Sequence, residues 1–208
     1  LFERMNGQKK MIRFSDGMPK SNLIQLNEHA YDPHVWFDVQ LWLKGIQGCV
    51  NQLVKIYPSE AEFILSNFEH YKLDLITVEK ELILKMKDIP SNQRVLITSH
   101  DAFHYFGKAY DVEVKAIQGV STIMEPGLKE VSNLVNDIVK RNIKSIFVES
   151  SVSSKSIRAV IEGCKSKGHD VKIGGTLFSD ALGGKGSDAD TYIKMISKNA
   201  FVIHSALK

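Results

Sequence analysis

Residues 59–87 read SEAEFILSNFEHYKLDLITVEKELILKMK, 29 positions without a glycine or a proline. Apolar side chains recur at Phe63, Ile64, Phe68, Tyr71, Leu75, Val78, Leu82, Leu84 and Met86, close to a helical period. Ser59 suits an N-cap, and Glu62 three residues on completes a capping box. A continuous helix of this length measures about 43 Å at 1.5 Å per residue. That exceeds the width of a domain of about 100 residues, so the stretch predicts a rigid connection between two lobes.

Downstream of Pro90 the pattern changes to short apolar runs alternating with amphipathic ones. Strands are predicted at Arg94–Thr98, Glu113–Ile117, Ser145–Glu149 and Val171–Phe178, and helices at Ala102–Tyr110, Gly127–Arg141, Ser154–Lys167 and Ala189–Lys198, with a last helix near the C-terminus. Strands alternating with helices imply a parallel sheet with right-handed crossovers. Upstream, the end of a helix, a turn at Gly7 and a short strand at Lys10–Phe14 are expected, then a loop over residues 15–34. A helix begins at Asp38, an N-cap residue, and carries Val39, Leu41, Trp42, Ile46, Cys49, Val50, Leu53 and Val54 at helical spacing. The fold class is therefore α/β: two lobes with parallel sheets flanked by helices, joined by one long helix. The division is 1–57 for the N-terminal lobe, 58–88 for the connecting helix and 89–208 for the C-terminal lobe.

Composition narrows the function. With 27 Lys+Arg against 24 Asp+Glu, the net charge of +3 is small and dispersed, which argues against a nucleic-acid partner. No apolar run approaches the roughly 20 residues that span a bilayer. Cys49 and Cys164 form no CxxC or Cys–His pattern and are expected to be two small buried thiols. The loop Gly183-Gly184-Lys185-Gly186 lacks the spacing of a phosphate cradle.

Three segments carry candidate chemistry. Asp32-Pro33-His34-Val35-Trp36-Phe37-Asp38 places a His on a stiff loop before a helix, since Pro33 keeps Asp32 extended. Thr98-Ser99-His100-Asp101-Ala102-Phe103 places a His directly after a strand, and Leu177-Phe178-Ser179-Asp180-Ala181-Leu182-Gly183 an Asp after another. Strand C-termini of a parallel sheet present residues to a cleft. Two imidazoles and a carboxylate would suit zinc, manganese or iron(II), although each of the three, taken alone, reads more readily as a surface, hydrogen-bonded or capping residue than as a ligand. Glu149, at a strand end, is a candidate to face the cleft and accept a hydrogen bond beside the ligands; a plain strand-end hydrogen bond is the alternative. His29, His70, His104, His169 and His204 read as surface or capping residues, and Trp36 and Trp42 as packing.

These strings, in this order, resemble the signatures of the metal-binding receptors of zinc, manganese and iron ABC transporters, a family that includes streptococcal adhesin-type lipoproteins. Tyr105-Phe106, Gly119-Val120-Ser121-Thr122, Glu125-Pro126 and Thr191-Tyr192 extend the resemblance over residues 10–208. The resemblance implies a helical-backbone metal receptor and assigns His34, His100 and Asp180 as metal ligands. It implies that the cargo is a divalent ion (Mn2+, Zn2+ or Fe2+), that the partner is a membrane permease, and that the chain is a monomer and not an enzyme. It implies a periplasmic or extracellular location, with lipid anchoring open. Manganese is favoured: residues 12–33 hold only His29 where zinc importers carry a His-rich loop, and Phe37-Asp38 after Trp36 looks like the manganese/iron branch. The chain begins with Leu1, shows no signal peptide and is read as a processed or truncated product. The family's first ligand, a His, is expected upstream of it, leaving the N-terminal lobe incomplete. Two other classes stay open: a metalloenzyme using the same His/His/Asp set, and an adhesin-type interaction protein.

Overall fold

The computed structural model describes residues 10–120 and 127–208. The expected helix end and Gly7 turn, and the Ser121-Thr122 and Glu125-Pro126 strings, lie outside those residues. The chain divides into two compact units, Leu1–Thr77 and Val78–Lys208.

In the first unit, the expected strand at Lys10–Phe14 is absent. Residues 10–13 are irregular and Phe14–Gly17 form a 3-10 turn. Met11 and Ile12 are adjacent, so they cannot share one face of a strand, and Gly17 and Pro19 close the run. The predicted loop contains a small antiparallel hairpin, β1 (Gln25–Asn27) and β2 (Ala30–Tyr31). Its strands are short and mostly exposed, so no apolar run announced them. After the 3-10 turn Val35–Phe37 comes α1 (Val39–Ile56), where the Asp38 side chain accepts from the Leu41 N–H at 3.0 Å, as expected of an N-cap. Its buried face carries Val39, Leu41, Gly45 and Val50. Gly17 and Gly48 sit backbone to backbone, and a Cβ on Gly48 would collide with the Gly17 Cα.

The long helix is α2 (Ala61–Asp88), 28 unbroken residues running through both units. Phe68, Leu75, Val78, Leu82 and Met86 form its buried stripe, whereas Phe63 and Leu84, read as part of that stripe, are exposed. Ser59 does not cap it. Ser59 lies within a 3-10 turn, Pro58–Glu60, whose N-cap position is Tyr57; proline's fixed φ starts the turn one residue earlier than the capping-box reading.

The second unit is the alternating α/β layer. β3 (Val95–His100) pairs in parallel with β4 (Glu113–Gln118), from Val95↔Glu113 to His100↔Gln118. α3 (His104–Tyr110) connects them and ends at Asp111 in the left-handed region (φ 56°). After α4 (Leu128–Arg141), β5 (Ser145–Glu149) pairs in parallel with β6 (Lys172–Leu177) across α5 (Lys155–Ser166). β3 and β5 run side by side between the two pairs. Ile97, Ile117, Ile138, Ile146, Ile157 and Val160 fill the core under the helices.

Two expected C-terminal helices are one, α6 (Tyr192–Leu207). No glycine or proline interrupts it, and Asn199, just past the expected end at Lys198, is fully buried and bonded. Cys164 is buried as expected, but Cys49 is only half-buried; burial raises both thiols above the ordinary range, and the charge of Asp16 adds to the effect at Cys49. Among the described residues no helix is long and apolar enough to cross a membrane.

Candidate metal centre

In the first unit, the loop from β2 to α1 holds His34 through its own neighbour. Asp32 Oδ1 accepts the His34 backbone N–H at 2.9 Å and lies 2.7 Å from His34 Nδ1. Pro33 between them fixes the turn that lets a carboxylate reach two residues ahead. Asp32 is itself anchored to the hairpin, its N–H donating to Ile24 O at 2.8 Å. Trp36 meets the His34 ring edge-on at 5.3 Å between centroids. Both Asp32 and His34 are buried. A neutral ring that donates from Nδ1 carries its lone pair on Nε2, the atom that ligates metals in carboxylate–histidine pairs.

The second unit repeats this arrangement with residues far apart in sequence. His100 ends β3 and Glu149 ends the adjacent β5, so the parallel layer brings them together. Glu149 Oε2 is 2.6 Å from His100 Nδ1, and Glu149 Oε1 accepts the His100 N–H at 2.9 Å. Thr98 donates to His100 O at 2.9 Å and fixes the strand end. Burial disfavours a charged His100 ring, but the hydrogen bond and charge of Glu149, followed by the charges of Asp180 and Asp101, outweigh it. The ring is held above the ordinary histidine range.

Asp180 stands just past β6, with its Oδ2 3.5 Å from His100 Nε2. Ser151 donates to Asp180 Oδ2 at 3.2 Å and is 2.8 Å from Ser179 Oγ, a serine bracket between the loops after β5 and β6. Nε2 and a carboxylate oxygen at this separation can both approach one ion at the roughly 2.0–2.2 Å of a zinc–nitrogen or zinc–oxygen bond. The structure thus brings His100, Asp180 and Glu149 together within the second unit, and it gives His34 the same kind of carboxylate support in the first.

Asp32, Ser151 and Asn199 carried no role in the sequence reading. Asp32 had a signal, an acceptor two residues before His34 across a proline; Ser151 and Asn199 had none. The remaining histidines are accounted for locally. His104 Nε2 pairs with Asp101 at 3.1 Å, His169 Nε2 lies 2.6 Å from Ile143 O, His204 Nε2 lies 2.7 Å from Asp88, and His29 and His70 are exposed.

This chain belongs to a family of periplasmic metal-uptake components: the family model described as "ZnuA: Zinc-uptake complex component A periplasmic" matches residues 1–206. It is 43% identical over its whole length to the manganese-binding lipoprotein MntA of Bacillus subtilis, spanning 68% of that protein. It is 36% identical to the zinc-binding protein TroA of Treponema pallidum, spanning 67% of it. The solved structure of periplasmic zinc-binding TroA from Treponema pallidum superposes with a TM-score of 0.94, over 99% of this chain and 74% of that one. The α/β class with parallel strand pairs and a long connecting helix, expected from the sequence, is the fold of this family.

Proposed function

We propose that this chain is the solute-binding receptor of a metal-importing ABC transporter. It captures a divalent cation and delivers it to a membrane permease; it makes and breaks no bond and is not an enzyme. The observation that carries the reading is the facing pair at the ends of β3 and β6, His100 Nε2 and Asp180 Oδ2 at 3.5 Å, backed by buried Glu149. His34, supported by Asp32, supplies a further ligand from residues 1–57, and the helix of 58–88 links these to the lobe of 89–208.

Manganese is the favoured cargo, with zinc and iron(II) next. The relative at 43% identity is named manganese-binding and the one at 36% zinc-binding, and residues 12–33 lack a histidine-rich loop. A set of imidazoles plus one carboxylate binds zinc in vitro whatever its physiological cargo. The receptor works outside the cytoplasmic membrane, in the periplasm or lipid-anchored at the cell surface, as several relatives named lipoproteins do, and as a monomer.

Calorimetric titration with manganese, zinc and anaerobic iron(II) tests the reading. One ion per chain is expected, and His34→Ala, His100→Ala and Asp180→Ala each weaken binding by about 100-fold. Unchanged affinity in these variants, or turnover of simple esters or phosphoesters by the wild-type chain, overturns it.

A further inference from the structure

Both candidate imidazoles are clamped at two points, ring and backbone, by a single carboxylate, but the two clamps are built differently. Glu149 uses a separate oxygen for each point. Its Oε2 faces His100 Nδ1 at 2.6 Å and its Oε1 takes the His100 N–H at 2.9 Å. Asp32 uses one oxygen for both: Oδ1 lies 2.7 Å from His34 Nδ1 and takes the His34 N–H at 2.9 Å. The side chains involved are at most 4% exposed.

We infer that Glu149 and Asp32 are positioning residues that set the tautomers of His100 and His34, and that only Glu149 needs both of its carboxylate oxygens to do so. This rests on the proposal that the two rings bind metal. A carboxylate can only accept hydrogen bonds, so each Nδ1 keeps its proton and each Nε2 keeps its lone pair. An amide at position 149 offers one oxygen and one NH2 to two donors. The backbone N–H cannot surrender its proton, so the amide oxygen serves the backbone and the NH2 turns to the ring. The imidazole then moves its proton from Nδ1 to Nε2 and accepts at Nδ1. A protonated Nε2 is no ligand. At position 32 the amide oxygen of Asn occupies the place of Oδ1 and serves both donors, so the tautomer of His34 stays.

The test compares Glu149→Gln, Asp32→Asn and Asp32→Ala in the full chain, with manganese and zinc titrations and 15N NMR of the imidazole rings at an alkaline pH where the ring shifts no longer change with pH. The inference expects Glu149→Gln to lose 100-fold or more in affinity and to show His100 protonated at Nε2. Asp32→Asn stays within about 10-fold, rescuing the 10- to 100-fold loss of Asp32→Ala. Should Glu149→Gln not fold, the wild-type spectrum still decides, because Nε2–H on either ring sinks the inference. Equal losses in Glu149→Gln and Asp32→Asn, or a folded Glu149→Gln with wild-type affinity, also overturn it. If His34→Ala and His100→Ala abolish binding while Glu149→Gln does not, this inference alone fails; if the alanine variants bind normally, the metal-receptor reading fails.

Discussion

Asn199, in the middle of α6, holds the backbone of Phe178 at both its polar groups. Its Oδ1 accepts the Phe178 N–H at 2.9 Å and its Nδ2 donates to the Phe178 carbonyl at 2.8 Å. Phe178 lies two residues before Asp180, so a fully buried helix side chain fixes the start of the loop that carries the acidic candidate ligand. Asn199→Ala leaves both backbone groups unsatisfied and is expected to cost about 2–6 kcal/mol of stability, at about 1–3 kcal/mol for each stranded group. Asn199→Asp keeps the first bond but sets an oxygen against the Phe178 carbonyl. Urea unfolding and zinc titration of both variants check this, with metal affinity falling in step with loop order.

Cargo and fold are linked by mass action. Zinc at about 100 times its dissociation constant is expected to stabilise the folded chain by about 2.7 kcal/mol. A melting-temperature rise on adding zinc, reversed by a chelator and much smaller in His100→Ala, is the expected result. A rise of equal size in His100→Ala counts against the candidate ligand set.

Glu113 on β4 and Arg141 at the end of α4 form a two-point pair, at 2.7 and 2.8 Å. The Arg141 hydrogen bond holds Glu113 below the usual carboxylate range. A group whose pKa is depressed by folding stabilises the protein above its unfolded value, and that contribution disappears as pH falls through its folded value. The pair is solvent-screened, so its worth is a few tenths of a kcal/mol. Glu113→Gln is expected to lower stability slightly at pH 7 and to match wild type once pH drops well below the ordinary glutamate value. Denaturation midpoints measured from neutral pH downward test the convergence.

Neighbouring leucines on α2 separate core from surface. Leu82 is 1% exposed and Leu84 68% exposed. Leu82→Ala is expected to cost about 2–5 kcal/mol, and Leu84→Ala about 0.5 kcal/mol or less. Similar costs for the two would mean that Leu84 is covered in solution.

Sequence alone went far where a residue's neighbours in the chain decide its structure. The unbroken run through α2 and the Asp38 cap follow from local spacing and local hydrogen bonding. The strands of the second unit follow from short apolar runs, and their ends locate His100, Glu149 and Asp180. What escaped was decided by distant partners or by too little chain. Asn199 drew no notice because its bond to Phe178 crosses 21 positions. The hairpin at 25–31 has no apolar face to betray it, and the Glu149 clamp exists only because β3 and β5 run side by side. Asp32 lay within a quoted motif, but its hold on the imidazole became visible only with the distance to Nδ1.

The helix Ala61–Asp88 also bears on the order in which the chain assembles. Its hydrogen bonds span four residues, so it can grow on the sub-microsecond scale of helix elongation, with no wait for distant partners. The parallel pairs Val95↔Glu113 and Ser145↔Lys172 close only after an intervening crossover has formed. On these timescales the helix is expected to form before the parallel pairs whose strand ends carry His100 and Glu149 come into register.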